Sequence, residues 1–180
     1  GGSSVLAGVA VDENSALTYS AVWAATRLLA ATGSYLPLNL YRTRPDGGKD
    51  IDDDNPLYAV LHDAPNPEMS SMSFRLQAIA QQVNRGNCYA EIQRDGSGRV
   101  EALWPIHATR VTPERRDGRM TYLVSSEGGR RQVALSADDV FHVPSLISDD
   151  GICGKGVIQH ARESIGFGLA TERHGAAYFG

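Results

Sequence analysis

Between Asn84 and Val111 the chain reads NRGNCYAEIQRDGSGRVEALWPIHATRV, two alternating segments on either side of a tight Asp95-Gly96-Ser97-Gly98 loop. Alternation places successive side chains on opposite faces, and a glycine-containing loop between such runs marks a β-hairpin. Cys88, Ala90 and Ile92 share one face of the first strand, and Tyr89, Glu91 and Gln93 the other. On the second strand Val100, Ala102 and Trp104 stand against Glu101 and Leu103. Turning both apolar sets to one side requires paired residue numbers with an even sum, hence a loop of odd length. Two registers satisfy this. One sets Glu91 against Glu101, which like charge disfavours; the other sets Ala90 opposite Trp104 and Ile92 opposite Ala102, and is the register expected. A sheet built on this hairpin has one apolar face to cover, and the helical segments before and after it are the candidates.

The chain has 180 residues, 42% hydrophobic and 21% charged, enough for one domain, or one and a fragment, with a substantial core. Seventeen Lys and Arg against 21 Asp and Glu give a formal charge of -4. No general basic surface is available to neutralise phosphates, so sequence-independent nucleic-acid binding by this chain alone is not expected. Cys88 and Cys153 are too few for a disulfide framework and read as thiols in a reducing compartment. No apolar run approaches the ~20 residues that span a bilayer, so no membrane partner is expected. The Gly/Ser-rich opening predicts a flexible arm over residues 1–14.

A first helix is expected from an N-cap at Ser20 to Gly33, with a buried stripe of Val22, Ala25, Leu29 and Thr32 widened by Trp23 and Leu28. Pro37 excludes further helix, and LPLNLYRT alternates as a strand with Leu36, Leu38 and Leu40 inward, ending at a Pro45-Asp46-Gly47-Gly48 turn. The acidic run Asp50 to Asn55 lacks the glycine and distant glutamate of a calcium loop and reads as solvated. Asp54 or Asn55 caps a short helix from Pro56, and a longer helix starts at Ser70 or Ser71 and stops at Gly86, burying Phe74, Ala78, Ile79 and Val83. Beyond the hairpin, Ala108–Glu114, Met120–Ser126 and Gln132–Leu135 read as a meander. A helical turn follows at Ser136–Asp139, then a short strand over Val140–Val143. After the polar connector from Pro144 to Gly156, a helix runs to the end of the chain. Glycines 166, 168 and 175 each cost about 1 kcal/mol against Ala in such a helix, so a packing partner must offset them. Ala161, Gly168 and Gly175 fall seven apart, with Ile165 and Leu169 adjoining. This face fits close approach, either inside the subunit or across a seam between subunits.

Several residues invite chemical readings. Cys88 with His107 or His142 could form a hydrolase pair, but Cys88 falls on the inward face of the hairpin, where a thiol is more often a small hydrophobe. Glu91 and Glu101 resemble a glycosidase pair only superficially, since exposed strand faces carry glutamates routinely. Gly154-Lys155-Gly156 resembles the heart of a phosphate loop, yet Asp149 and Gly156 occupy two positions that the motif requires otherwise. His62, His160 and His174 lack zinc-ligand spacing, and no Cys-x-x-Cys occurs. Arg110, Arg115, Arg116, Arg119, Arg130 and Arg131 read as solvated turn residues before a phosphate-binding patch. No catalytic, metal or cofactor residue is assigned.

Four blocks in order, SAVWAATRLLAATGSYLPLNLY, NPLYAVLHDAPNPEMSSMSFR, RGNCYAEIQRDGSGRVEALWPI and DDVFHVPSLISDDGICGKGVIQHARESIGFGLATERHGAAYF, resemble the portal proteins of tailed bacteriophages of the Hong Kong 97 type. The resemblance implies a structural virion protein without enzymatic activity, forming a ring, typically of twelve subunits, at one capsid vertex. It implies assembly in the bacterial host cytoplasm, with double-stranded DNA packaged and ejected through the ring. The partners it implies are further copies of the chain, the terminase large subunit, the major capsid protein and head-completion proteins. The fold expected is α+β, an antiparallel or mixed sheet on the hairpin meander, covered by helices, with a long C-terminal helix. Residues 15–143 are assigned to a wing-like domain and 144–180 to a connector and a helix leading toward the stem. Ala161, Ile165, Gly168, Leu169 and Gly175 are the candidate subunit-contact face.

Overall fold

A computed structural model describes residues 11–179, so the first ten residues of the expected arm lie outside the described part. Within residues 11–14, Val11 is buried while Asp12 and Asn14 are exposed. Asp12 accepts from the Asn14 and Ser15 N–H groups at 2.9 and 2.7 Å, opening α1 (Glu13–Ala16), while Val11 is 1% exposed. The next helix, α2 (Ser20–Ser34), has its cap one residue earlier than expected. Tyr19 occupies the cap position without a side-chain bond, and Ser20 is already helical.

Little of LPLNLYRT becomes strand. Only β1 (Tyr41–Thr43) pairs, antiparallel to β2 (Lys49–Ile51) around the Pro45–Gly48 turn, and Leu36 and Leu38 are exposed. Asp52 pairs with Arg42, which holds its carboxyl below the usual range, and Arg44 lies between Asp46 and Asp50. Asn55 Oδ1 accepts from Leu57 N–H at 3.0 Å and opens α3 (Pro56–Tyr58), which widens into a π-helical turn over Ala59–Asp63. Ser70 Oγ accepts from Ser73 N–H at 3.2 Å at the start of α4 (Ser71–Arg85), and Gly86, at φ 81°, closes it. That left-handed position favours glycine.

Strands β3 (Asn87–Arg94) and β4 (Val100–Ile106) form the expected hairpin. At its tip Arg94 pairs with Val100 across an odd loop, but the next pair is Gln93 with Ala102. Glu101 is the extra residue of a bulge, and it changes the parity of every pair beyond it. Ile92 therefore faces Leu103, Glu91 faces Trp104 and Ala90 faces Pro105, in place of the expected Ala90–Trp104 and Ile92–Ala102 pairs. The single-apolar-face premise fails because both faces are covered. Ala90 and Leu103 pack with Phe74 of α4 and Val60, while Tyr89 and Ile106 pack on the opposite side.

That opposite cover is a second sheet, β5 (Val111–Arg116), β6 (Arg119–Ser125) and β7 (Gln132–Ser136), an antiparallel meander contributing Val111 and Tyr122. A 3-10 turn at Ala137–Asp139 then returns the chain to β8 (Val140–Pro144), which pairs with β3 and completes the order β4-β3-β8. The connector carries the chain to α5 (Val157–Phe179). Ile158, Ile165 and Leu169 of α5 form a third cluster with Val11 and Ala16. The expected α+β class is present, with two three-stranded sheets where one meander sheet was expected.

Candidate assembly surface

The small-residue face of α5 divides into two halves. Ile165 and Leu169 are buried within the chain, Ala161 packs at the edge of the same cluster, and Gly168 lies under the Tyr19 ring, where a Cβ would fall 2.7 Å from Cζ. Gly175 has open space over its Cα. Phe167 and Tyr178, on the outward side, are exposed.

The start of α5 is positioned by backbone-to-backbone contact. A Cβ on Gly154 would strike the Gly86 carbonyl, and one on Gly156 the Asn84 carbonyl. Gly86 O accepts from Ser145 N–H at 2.7 Å, and Asn87 donates through Nδ2 to Gly154 O while its Oδ1 accepts from Gly154 N–H, both at 2.9 Å. The glycines that resemble a phosphate loop serve this close approach. Lys155 between them pairs with Asp149.

On α2 the pattern is reversed from the expected stripe. Its buried residues are Thr26, Ala30 and Ser34, while Trp23, Leu28 and Leu29 are exposed. Polar partners explain the orientation. Thr26 Oγ1 donates to Asn84 Oδ1 at 2.8 Å, and the Ser34 carbonyl accepts from Arg75 Nε at 3.1 Å. At Gly33 the missing Cβ admits Ile79, so α2 and α4 approach closely. Between α2, the end of α4 and the start of α5 runs an apolar groove of about 210 Å³ lined by Ala25, Leu29, Val83, Val157, Ala161 and Ile165. Sequence periodicity finds the helix but follows apolar residues outward, because nothing in the sequence signals that Asn84 is a buried acceptor.

The chemical candidates are dispersed. Cys88 is 5% exposed and burial pushes its thiol up to about 11, so it holds its proton at neutral pH. It pairs with Val143, whereas His142 pairs with Tyr89, so the thiol and His142 emerge on opposite faces of the sheet. Gln93 donates to Glu101 at 3.1 Å, while Glu91 lies across from Trp104. His62 stacks on Tyr58 and bonds Asp63, and no group of three or more metal-ligating side chains occurs among the described residues. Arg115, Arg116 and Arg119 sit at one end of β6 and Arg130 and Arg131 beyond the other, about 20 Å apart along seven residues of strand. They make no single patch. Arg110 turns inward to donate to Ser125 O at 2.7 Å.

The Phage portal protein family model matches residues 20–180, which take in every element from α2 to α5. The chain belongs to the phage portal protein family. It is 30% identical over 189 residues to a probable portal protein of Streptomyces phage phiC31, covering 99% of this chain and 40% of that protein. It is 26% identical over 170 residues to the portal protein of Enterobacteria phage HK97, covering 94% of this chain and 39% of that one. The chain thus spans about two fifths of the length of these curated portal proteins. Among solved structures, the fold matches an HK97 family phage portal protein from Corynebacterium diphtheriae at TM-score 0.66 and 20% identity, over 97% of this chain and 50% of that one. It also matches a chain in the neck of a native gene transfer agent particle with C12 symmetry at TM-score 0.70 and 18% identity, over 94% and 45%. Portal family members are thus similar to this chain both in sequence and in the arrangement of helices and sheets.

Proposed function

We propose that this chain is the wing-like part of a portal subunit, with residues 15–143 as the α+β wing and 144–180 as the connector and a helix directed toward the stem. The full-length subunit forms a ring of twelve at one capsid vertex, assembled in the host cytoplasm, through which double-stranded DNA is packaged and ejected without sequence specificity. The terminase large subunit docks on the ring during packaging, head-completion proteins replace it, and the major capsid protein surrounds it. Its role is structural, and the portal carries no enzymatic activity of its own. The observation that carries this reading is the family match across every element from α2 to α5.

Two physical features support it. The formal charge of -4 suits a conduit that must not retain DNA, because a basic lining would slow translocation. The far half of α5 has open space over Gly175, which suits the close approach of a neighbouring subunit, whereas Ala161, Ile165, Gly168 and Leu169 serve the fold itself. Native mass spectrometry and single-particle imaging of the full-length protein test the proposal. A closed ring with a central channel is expected; a monomer at every concentration sinks it.

A further inference from the structure

The sheet β5 to β7 joins the rest of the molecule at two short turns. The chain enters it through a 3-10 turn at Ala108–Arg110 and leaves it through the one at Ala137–Asp139. Each turn is pinned to the body. Gln81 Oε1 of α4 accepts from Ala108 N–H at 2.6 Å, and Arg94 at the end of β3 donates through Nη2 to Asp138 O at 2.9 Å. Between the pinned turns the sheet rests on β3 and β8 through the apolar cluster of Tyr89, Ile106, Val111, Tyr122 and Val140, a contact without direction. Among the described residues a single side-chain hydrogen bond crosses between the two three-stranded sheets, from the Tyr122 hydroxyl to His142 at 3.2 Å.

We infer that the second sheet is a flap, hinged at these two turns and latched by His142, and that protonation of His142 releases it. The polarity of the latch is set by Asn87. Its Nδ2 donates to Gly154 O and its Oδ1 accepts from Gly154 N–H, so Oδ1 also faces His142 and Nε2 of the ring is the donor. In the neutral ring Nδ1 is left as the acceptor of the Tyr122 hydrogen. A proton added at Nδ1 makes that position a donor, so the Tyr122 hydrogen loses its acceptor and the ring acquires a charge. The ring is half-buried, stacked on Tyr89 at 4.4 Å and edge-on to Tyr122 at 5.6 Å. The titratable groups around it are Tyr89 on β3, Tyr122 on β6 and Cys153 of the connector, which bonds Tyr89; Arg85 lines the cavity behind Tyr89 and Cys153. No carboxylate among them compensates a charge, and burial accordingly lowers the basicity of the ring. Protonation leaves the bond from Nε2 to Asn87 in place, so the connector stays clamped while the second sheet is freed. With an open-state value near ~6.5, a fall from pH 7 to 5 raises the ratio of open to latched flap by up to about 25-fold.

The test measures the distance between the flap and the body of the full-length protein by pulsed dipolar spectroscopy. Leu76 on α4 and Val133 on β7 are exposed and are replaced by ketone-bearing residues that carry spin labels, and labelled chains are diluted into unlabelled ones so that only distances within one chain are read. A single narrow distance at pH 7 and a second, displaced population growing toward pH 5 are expected, with circular dichroism unchanged. In His142→Gln the distribution is expected to be the same at both pH values. Tyr122→Phe removes the latch without removing the ring, and is expected to raise the displaced population at pH 7 by about fivefold, the worth of one hydrogen bond. One narrow distance at both pH values overturns the inference, and so does a displaced population that grows equally in His142→Gln. Loss of the circular dichroism signal over the same pH range overturns it too, since the whole fold would then be opening. Should His142→Gln fail to fold, Tyr122→Phe decides: a distribution identical to wild type at pH 7 removes the latch.

Discussion

At Asn87 a single buried side chain ties the start of β3, the β8 strand and the connector together. Its Oδ1 accepts from Gly154 N–H and from His142 Nε2–H, each at 2.9 Å, and this fixes the neutral tautomer of His142. His142 Nδ1 is then the acceptor for the Tyr122 hydroxyl at 3.2 Å. Asn87→Ala leaves several of these groups unpaired and is expected to destabilise the fold by about 2–4 kcal/mol. Urea unfolding of wild type and variant measures it. Burial lowers the basicity of His142, and burial with Arg85 and Arg110 nearby lowers that of His107. A histidine whose folded pKa is depressed contributes stability that is present above the unfolded value near ~6.5 and is lost as pH falls from there through the folded value. The urea midpoint is expected to fall between pH 7 and 5, and the fall should shrink in a His142→Gln, His107→Gln double variant. An unchanged slope would mean that neither ring is held neutral. Loss at lower pH has a different source, the carboxylates of Asp12, Asp52, Asp95 and Asp150, all held below their usual range by hydrogen bonds.

Among the elements, the bulge at Glu101 sets which side chains of β4 face which cover. Deleting Glu101 joins Val100 directly to Ala102 and leaves the Gln93–Ala102, Ile92–Leu103 and Tyr89–Ile106 pairs in place, so only the tip must turn and the deletion variant is expected to keep a cooperative unfolding transition in circular dichroism. Gly86→Ala combines a positive φ with a clash against the Gly154 backbone. It is expected to cost more than the ~1 kcal/mol of the conformation alone, read as a fall in Tm. The helix it closes was legible in the sequence at both ends, from Ser70 to Gly86, because capping chemistry is local. The hairpin's loop was legible for the same reason. Its register was not, since a bulge and a sheet covered on both faces obey no rule of alternation. The inward stripe of α2 was misread because amphipathic periodicity locates the apolar face without saying whether the chain itself or a neighbour covers it. Of the five residues assigned to a subunit contact, Ile165 and Leu169 proved to belong to the internal cluster for a related reason. Their partners, Val11 and Ala16, come from an N-terminal segment whose composition resembled a free arm.

Across the whole molecule, the N-terminal segment and the last helix hold one another. Gly168→Leu would displace the Tyr19 ring and is expected to raise hydrogen exchange across residues 11–19 while leaving the hairpin strands protected. Uniform exchange in wild type and variant would show that the segment is held elsewhere. The attachment of α5 at its base has a mechanical consequence. The helix has 23 residues and is therefore about 35 Å long, and its first turn is clamped to the end of α4 through Gly154, Gly156 and Asn87. A rotation of about 5° at that clamp would carry the far end of such a rod through ~3 Å, half a helical turn. In the ring proposed above, a lever of this kind would turn small adjustments in the body of one subunit into displacements large enough for its neighbours to feel.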